Sequence, residues 1–249
     1  MKILLYCIVS SVAPGLPATL AGVDSEPVSV VEGNGVAAAI SKVEHGPDHL
    51  LTIPQVLAYE KVIELLHHQG SVIPMRYGCL FDNTQQIVRL LAERGDEYHS
   101  LLEHIGSCVE MGIRVLIDGT TECTDPESLP ESNEPKSPSA PSNGCEYLAT
   151  LRLKHGRGER VTQVTQHIAE QCRTVFAGLF VNLKEEHPSH PTHQSSQFED
   201  VYSLYFLVPR EAVASFRSAF QTLCLNQPEK LLLSGPWPPY NFVLPDFGK

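Results

Sequence analysis

No stretch of this sequence approaches the roughly 18 apolar residues that a membrane-spanning helix needs. Basic charge is also scarce: 18 Lys and Arg stand against 29 Asp and Glu, a net charge of −11. A nucleic-acid binder needs a basic face, so neither a membrane nor a nucleic acid is an expected partner. The usual signatures of catalysis are missing too. There is no Gly-x-x-x-x-Gly-Lys-Ser/Thr phosphate loop, no Gly-x-Gly-x-x-Gly, no Gly-x-Ser-x-Gly nucleophile turn and no His-Glu-x-x-His. The seven cysteines are odd in number and scattered, with no Cys-x-x-Cys pair, and read as reduced thiols of a cytosolic protein. The residues therefore point away from an enzyme, and neither a cofactor nor a metal is expected.

What is present suffices for a packed core. At 249 residues with 42% hydrophobic content, the length favours two domains over one. The segment Met1–Ser10, one positive charge followed by an apolar run, fits either a weak signal peptide or a buried first strand. Pro14 and Pro17 interrupt it before any cleavage site near Ala18 or Ala21, which favours the strand. Two β-rich runs, Pro27–Glu32 and Val36–Val43, flank Gly33-Asn34-Gly35 and predict a hairpin. Val56, Leu57, Val62, Ile63 and Leu66 recur at helical spacing from about Pro54, with Gly70 as the stop. Val72–Met75 is a short strand at a sheet edge or a strand end, because it carries Pro74. Asn83 with Gln86 predicts a helix N-terminus, Gly95 the end of that helix and Asp96 the cap of another.

From Val109 the apolar period becomes two, and Val109, Met111, Ile113, Val115 and Ile117 share one strand face. The domain boundary falls just before this strand, giving an N-terminal α+β domain at 1–107. Residues 122–144 are acidic and rich in Pro and Ser, and read as a mobile excursion within the second domain. A helix from about Glu159, a strand at Val201–Val208, a helix at Glu211–Leu225 and a strand at Leu231–Leu233 complete a second domain at 108–234. The fold class is α+β, the second domain ferredoxin-like with an extension and its unassigned strand between Leu183 and Phe198.

A few side-chain groups invite a functional reading. His187, His190 and His193 have metal-like spacing, but two prolines and a polar setting argue against a preformed site. Glu60, Glu64 and His67 or His68 share a helical face that reads as solvated. Arg152, Lys154, His155, Arg157 and Arg160 are either a solvated helix junction or a patch for an acidic partner. Arg76 stands just past a strand end, as a structural ion-pair residue or a partner contact. The tail from residue 235 to 249 begins Gly-Pro-Trp-Pro-Pro-Tyr-Asn-Phe and holds the only tryptophan. Its prolines forbid a helix and stiffen an extended path. Trp237, Tyr240 and Phe242 must dock, either in the crease between the domains or on a partner.

That octapeptide resembles the tail of the gas vesicle protein F/L family. Val72-Ile-Pro-Met-Arg-Tyr-Gly-Cys-Leu-Phe81 resembles the family's central motif, and Cys108-Val-Glu-Met-Gly-Ile-Arg-Val-Leu-Ile117 its characteristic strand. Tyr147–Ala149 and Phe206–Arg210 agree more weakly, so the likeness covers nearly the whole chain. It implies an accessory or minor structural protein of gas vesicles, cytoplasmic and vesicle-associated. The implied partners are the small hydrophobic shell protein and other gas vesicle accessory proteins. The alternative, from another class, is a ferredoxin-like ligand-binding regulator or an unrecognised small enzyme. A deep pocket with perturbed titratable groups would favour that alternative, and an exposed aromatic surface the shell-binding reading.

Overall fold

The computed structural model describes residues 1–11, 20–44, 52–117, 162–186, 200–225 and 230–243. The excursion at 122–144, the histidines His187, His190 and His193, the basic run at 152–160 and the prolines Pro14 and Pro17 lie outside the described residues.

Strand β1 (Lys2–Ser10) is buried along nearly its whole length. A run this apolar needs cover on both faces, and it lies inside a five-stranded antiparallel sheet. Strands β2 (Ser29–Gly33), β3 (Val36–Val43), β1 and β4 (Val72–Pro74) follow in that order, and β5 (Leu80–Phe81) also pairs with β1. The β2–β3 hairpin turns through Asn34 and Gly35, both at positive φ (49° and 76°), the Asn-Gly turn that matches strand twist. A bulge between Leu5 and Cys7 changes the side-chain alternation of β1. Leu4, Tyr6, Cys7 and Val9 therefore share one core and Ile3, Leu5 and Ile8 another.

Helix α1 (Ile53–Gln69) covers the first of these faces with Tyr59, Val62, Ile63 and Leu66. Its start is fixed by Gln55, whose side-chain oxygen accepts from the Thr52 hydroxyl at 2.7 Å. Helix α2 (Thr84–Ile105) covers the other with Ile87, Leu91, Tyr98, Leu102 and Ile105. Asn83 caps it, accepting from the Gln86 N–H at 3.1 Å, as the spacing predicts. The predicted break at Gly95 is absent: α2 is one helix, and Gly95 sits buried inside it. A Cβ on Gly95 would come within 2.5 Å of the Asn34 amide. The glycine thus serves close approach of the hairpin turn to the helix, and Asp96 accepts from Asn34 at 3.3 Å instead of starting a new helix.

After Ser107 the chain enters a second antiparallel sheet. Its strands are β6 (Cys108–Ile117), β7 (Asn182–Glu186), β8 (Asp200–Pro209) and β9 (Lys230–Trp237), in the order β7-β8-β6-β9. Helix α3 (162–175) precedes β7 and α4 (Val213–Leu225) precedes β9, so the described elements run β-α-β-β-α-β with two crossovers split by the central pair. β7 begins at Asn182, at the edge of the interval assigned to the unplaced strand. One face buries Val109, Met111, Ile113 and Val115 against both helices. Phe176 stacks on Phe216 with centroids 4.1 Å apart, and Phe206 meets both rings edge-on. The opposite face carries Glu110, Gly112, Arg114 and Leu116, and part of it meets the first half of the chain. Cys108 and Leu207 join Leu5 and Ile73 of the first sheet, with Leu102 of α2, in one shared core. Among the described residues no helix is long and apolar enough to cross a membrane.

The contact at Gly95 gives a test by coupling. Gly95→Ala should destabilise the protein by about 1 kcal/mol, because crowding of Asn34 outweighs the gain in helix propensity. In an Asn34→Gly background the same change should instead stabilise, as the helix term alone remains. Urea unfolding of the four proteins measures the difference.

Candidate functional site

The site is organised by the end of β9 and the residues after it. β9 continues to Trp237, beyond the expected end at Leu233. Gly235 allows this: its φ is +100°, and a Cβ there would lie 2.5 Å from the Glu110 carbonyl oxygen. Pro238 and Pro239 then carry the chain off the sheet, and Tyr240–Phe242 form a single tight turn. Glu110, only 4% exposed, meets this turn. Its carboxylate accepts from the Asn241 backbone N–H at 2.8 Å and from the Asn241 side-chain amide at 2.7 Å. Burial pushes the Glu110 carboxyl up from its ordinary value, and the two hydrogen bonds from Asn241 pull it back.

The clamp sets where the aromatics go. Phe242 and Val243 enter the core shared by the two halves. Tyr240 packs against the α1 side of the first sheet, its hydroxyl 3.5 Å from Glu60. Trp237 does not lie in the crease: it is 48% exposed at the end of β9. The sequence shows three aromatics that need cover, but the prolines after Trp237 carry only the side chains of the turn that follows them inward. Tyr240 also forms one wall of a groove of about 210 Å³ with Tyr59, Glu60, Met75, Arg76 and Tyr77. The floor is braced, since the Tyr59 hydroxyl donates to the Met75 carbonyl at 2.9 Å and its ring meets Tyr77 edge-on. Arg76 is exposed at the rim, with no ion pair among the described residues. Tyr77 carries the one buried side-chain hydroxyl without a hydrogen-bond partner among the described residues. Of the four singled-out residues, Arg76 and Tyr240 meet in this groove, Phe242 lies in the core and Trp237 stands apart.

The helical cluster on α1 splits in two. Glu60, Glu64 and His68 face solvent, with His68 3.8 Å from Glu64. His67 turns inward at 5% exposure, a correction to the solvated reading. Its Nε2 lies 3.1 Å from the Cys108 carbonyl, where a neutral ring donates, and Arg210 donates to the His67 carbonyl. Burial, then the Arg210 charge, lowers the His67 pKa to about 4. Helix α1 is thereby tied to the first residue of β6 and to the end of β8. Among the described residues no three His, Cys, Asp or Glu side chains are grouped to hold a metal. A wider groove of about 440 Å³ runs between α3 and α4, past His167, Glu170 and Thr174. The Thr174 hydroxyl there donates to the Glu170 carbonyl at 2.9 Å, a helix back-bond rather than a poised nucleophile.

Sequence reasoning missed Glu110, Asn241 and Arg210, and placed His67 only as one of two alternatives on a solvated face. Glu110 was visible as a carboxylate in an apolar strand, and Asn241 as the one polar side chain between two tail aromatics. Their pairing, 131 positions apart, was not visible.

Phe242→Ala should cost about 3–4 kcal/mol in urea unfolding, as a large-to-small change in the core. Trp237→Ala should stay within about 1 kcal/mol, as a half-exposed strand-end change. His67 binds its proton less readily folded than unfolded, so its contribution is full above pH 6.5 and is lost as pH falls towards about 4. The stability advantage of the native chain over His67→Gln should shrink over that window, by at most about 3 kcal/mol. Unfolding at pH 7.0, 5.5 and 4.5 reads it, and comparison with the variant removes the opposite contribution of Glu110.

The family model described as gas vesicle synthesis protein GvpL/GvpF matches residues 2–244. Gas vesicle protein L1 of Halobacterium salinarum is 24% identical over 261 residues, covering 98% of this chain and 91% of its own length. Gas vesicle protein F of a Streptomyces species is 26% identical over 248 residues, covering 98% and 100%. The crystal structure of GvpF from an Anabaena species superposes with a TM-score of 0.73 at 16% identity, over 100% of this chain and 98% of that one. GvpF from Microcystis aeruginosa gives 0.71 at 16% identity, over 98% and 99%. With two antiparallel sheets, the helices that cover them, and a sequence match running from β1 to the clamped tail, the chain belongs to the gas vesicle synthesis protein GvpL/GvpF family.

Proposed function

We propose that this protein binds the small hydrophobic shell protein of gas vesicles and supports vesicle assembly, using the groove at Arg76 and Tyr240 as its contact. Family membership supports a role in gas vesicle formation. The observation that carries the finer reading is the character of the groove. Its volume, about 210 Å³, is below the roughly 300–1,000 Å³ usual for small-molecule sites. It presents tyrosine rings and one guanidinium free of any ion pair among the described residues, the residue types that anchor protein contacts. Its buried Tyr59 and half-buried Tyr240 have their hydroxyls pushed up by burial, so neither is a base at neutral pH. A shell subunit with an apolar gas-facing surface needs shielding before it assembles, and a soluble, acidic binder provides it. Other gas vesicle accessory proteins are further partners of the same assembly, and the proposed association is cytoplasmic, at the vesicle.

The test is capture of purified shell protein by the full chain, with vesicle counts in a strain lacking the gene. Arg76→Ala should weaken capture about tenfold or more, as loss of a central arginine anchor does. Its melting temperature should be unchanged, because no described residue forms an ion pair with it. Absence of capture by the native chain, together with normal vesicles in the deletion strain, overturns the reading.

A further inference from the structure

The two edges of the second sheet are built differently. β7 is short and carries Lys184, Glu185 and Glu186, charges that blunt an edge against further pairing. β9 is the opposite edge, and its sequence from Leu231 to Trp237 is Leu-Leu-Leu-Ser-Gly-Pro-Trp. Among the described residues it pairs with β6 alone, and over Lys230–Ser234 its outer side offers a row of backbone donors and acceptors; beyond that, the Gly235 carbonyl already accepts from Arg217 and Pro236 has no N–H to offer. Such a row is matched by another extended backbone and by little else. Leu231 and Leu233 pack inward on the core, while Leu232 is 46% exposed on the other face and Trp237 is 48% exposed at the strand end.

The charge around this edge is the reverse of the whole chain's. Net charge is −11, yet β9 carries no carboxylate. Arg114 stands opposite Leu232 in the register and Lys230 lies two residues before it on the same face. Arg217 of α4 donates to the Gly235 carbonyl at 3.0 Å, placing a third cation at the strand. A second copy paired through β9 would bring two such sets of cations together, which disfavours self-association.

We infer that the β9 edge over Lys230–Ser234 accepts an extended strand from a partner protein, one with apolar residues alongside Leu231 and Leu233 and acidic residues alongside Lys230 and Leu232, the latter reaching across Leu232 towards Arg114 on β6. The occupant continues the sheet by backbone hydrogen bonds, and the cations select its acidic face. This surface is separate from the Arg76 groove and does not depend on the shell-binding reading.

The probe is a synthetic peptide, acetyl-Val-Glu-Val-Glu-Val-Glu-Val-amide, with its Lys-for-Glu counterpart as control. Trp237, the only tryptophan, reports occupancy of the edge directly. The acidic peptide should shift its emission to the blue and shield it from acrylamide. It should also slow amide exchange in residues 231–234 by about tenfold at saturation. The basic peptide should do neither. Leu232→Glu should keep the fold, since the new carboxylate faces Arg114, and should abolish the protection. Three results would each overturn the inference. They are no protection by the acidic peptide, equal protection by both peptides, and retained protection in Leu232→Glu. A concentration-dependent dimer that protects the same amides without peptide would overturn it as well, in favour of a second copy.

Discussion

A carboxylate taken out of water must find donors, and in this protein Glu110 finds them in the tail. That requirement orders the rest. Asn241 supplies both donors from one residue, which fixes the turn at Tyr240–Phe242. The turn then delivers Phe242 and Val243 to a core that residues of both sheets already share. Burying a phenylalanine stabilises by about 1.5–3 kcal/mol, so the apolar gain and the satisfied carboxylate reinforce each other. Without the clamp Glu110 would be a buried charge deprived of both its Asn241 donors, a costlier state than having no carboxylate there.

The two halves meet at a second polar junction built on the same logic. His67 closes α1 against the Cys108 carbonyl, and Arg210 reaches back to the His67 carbonyl. The helix end is a natural place for this, because its last carbonyls have no partners within the helix. An imidazole that is buried and also held beside a guanidinium stays neutral at neutral pH, so this junction is sensitive to acid, whereas the Glu110 clamp is sensitive in the opposite sense. Together they fix the relation of α1 to the second sheet, and with it one wall of the Arg76 groove. The groove's other wall is Tyr240, set by the clamp. Its geometry thus depends on contacts between distant segments rather than on any one element.

The exposed cations matter because they are few. Arg76 at the groove and Arg114 at the second sheet have no ion pair among the described residues, in a chain with excess negative charge. Surface ion pairs elsewhere, such as Arg94 with Glu97 at 2.6 Å, are local helix contacts of small worth. A guanidinium beside tyrosines or leucines, not committed to a carboxylate, presents a stacking surface and a fork of donors. These are the positions where the surface departs from the solvated acidic average.

Much of the fold was legible because it is local. The Asn34-Gly35 turn, the Asn83 cap, the helical spacing before Gln69 and the alternation after Val109 each depend on a few neighbouring residues. The family likeness was legible from contiguous motifs for the same reason. Gly95 misleads because its role lies in a contact with Asn34, far away in sequence, and glycine as a stop and glycine as a close approach look alike in one dimension. His67 misleads because helical periodicity places it between the buried and exposed faces, and only the second sheet decides which. Arg76 and Tyr240 could be singled out from the sequence, but not brought together. The sequence by itself determined most of the elements, the acidic balance and the aromatic character of the tail. The tertiary structure alone decided which aromatic is buried, because that choice follows from the pairing of Glu110 with Asn241, and a hydrogen bond between distant segments leaves no periodic trace.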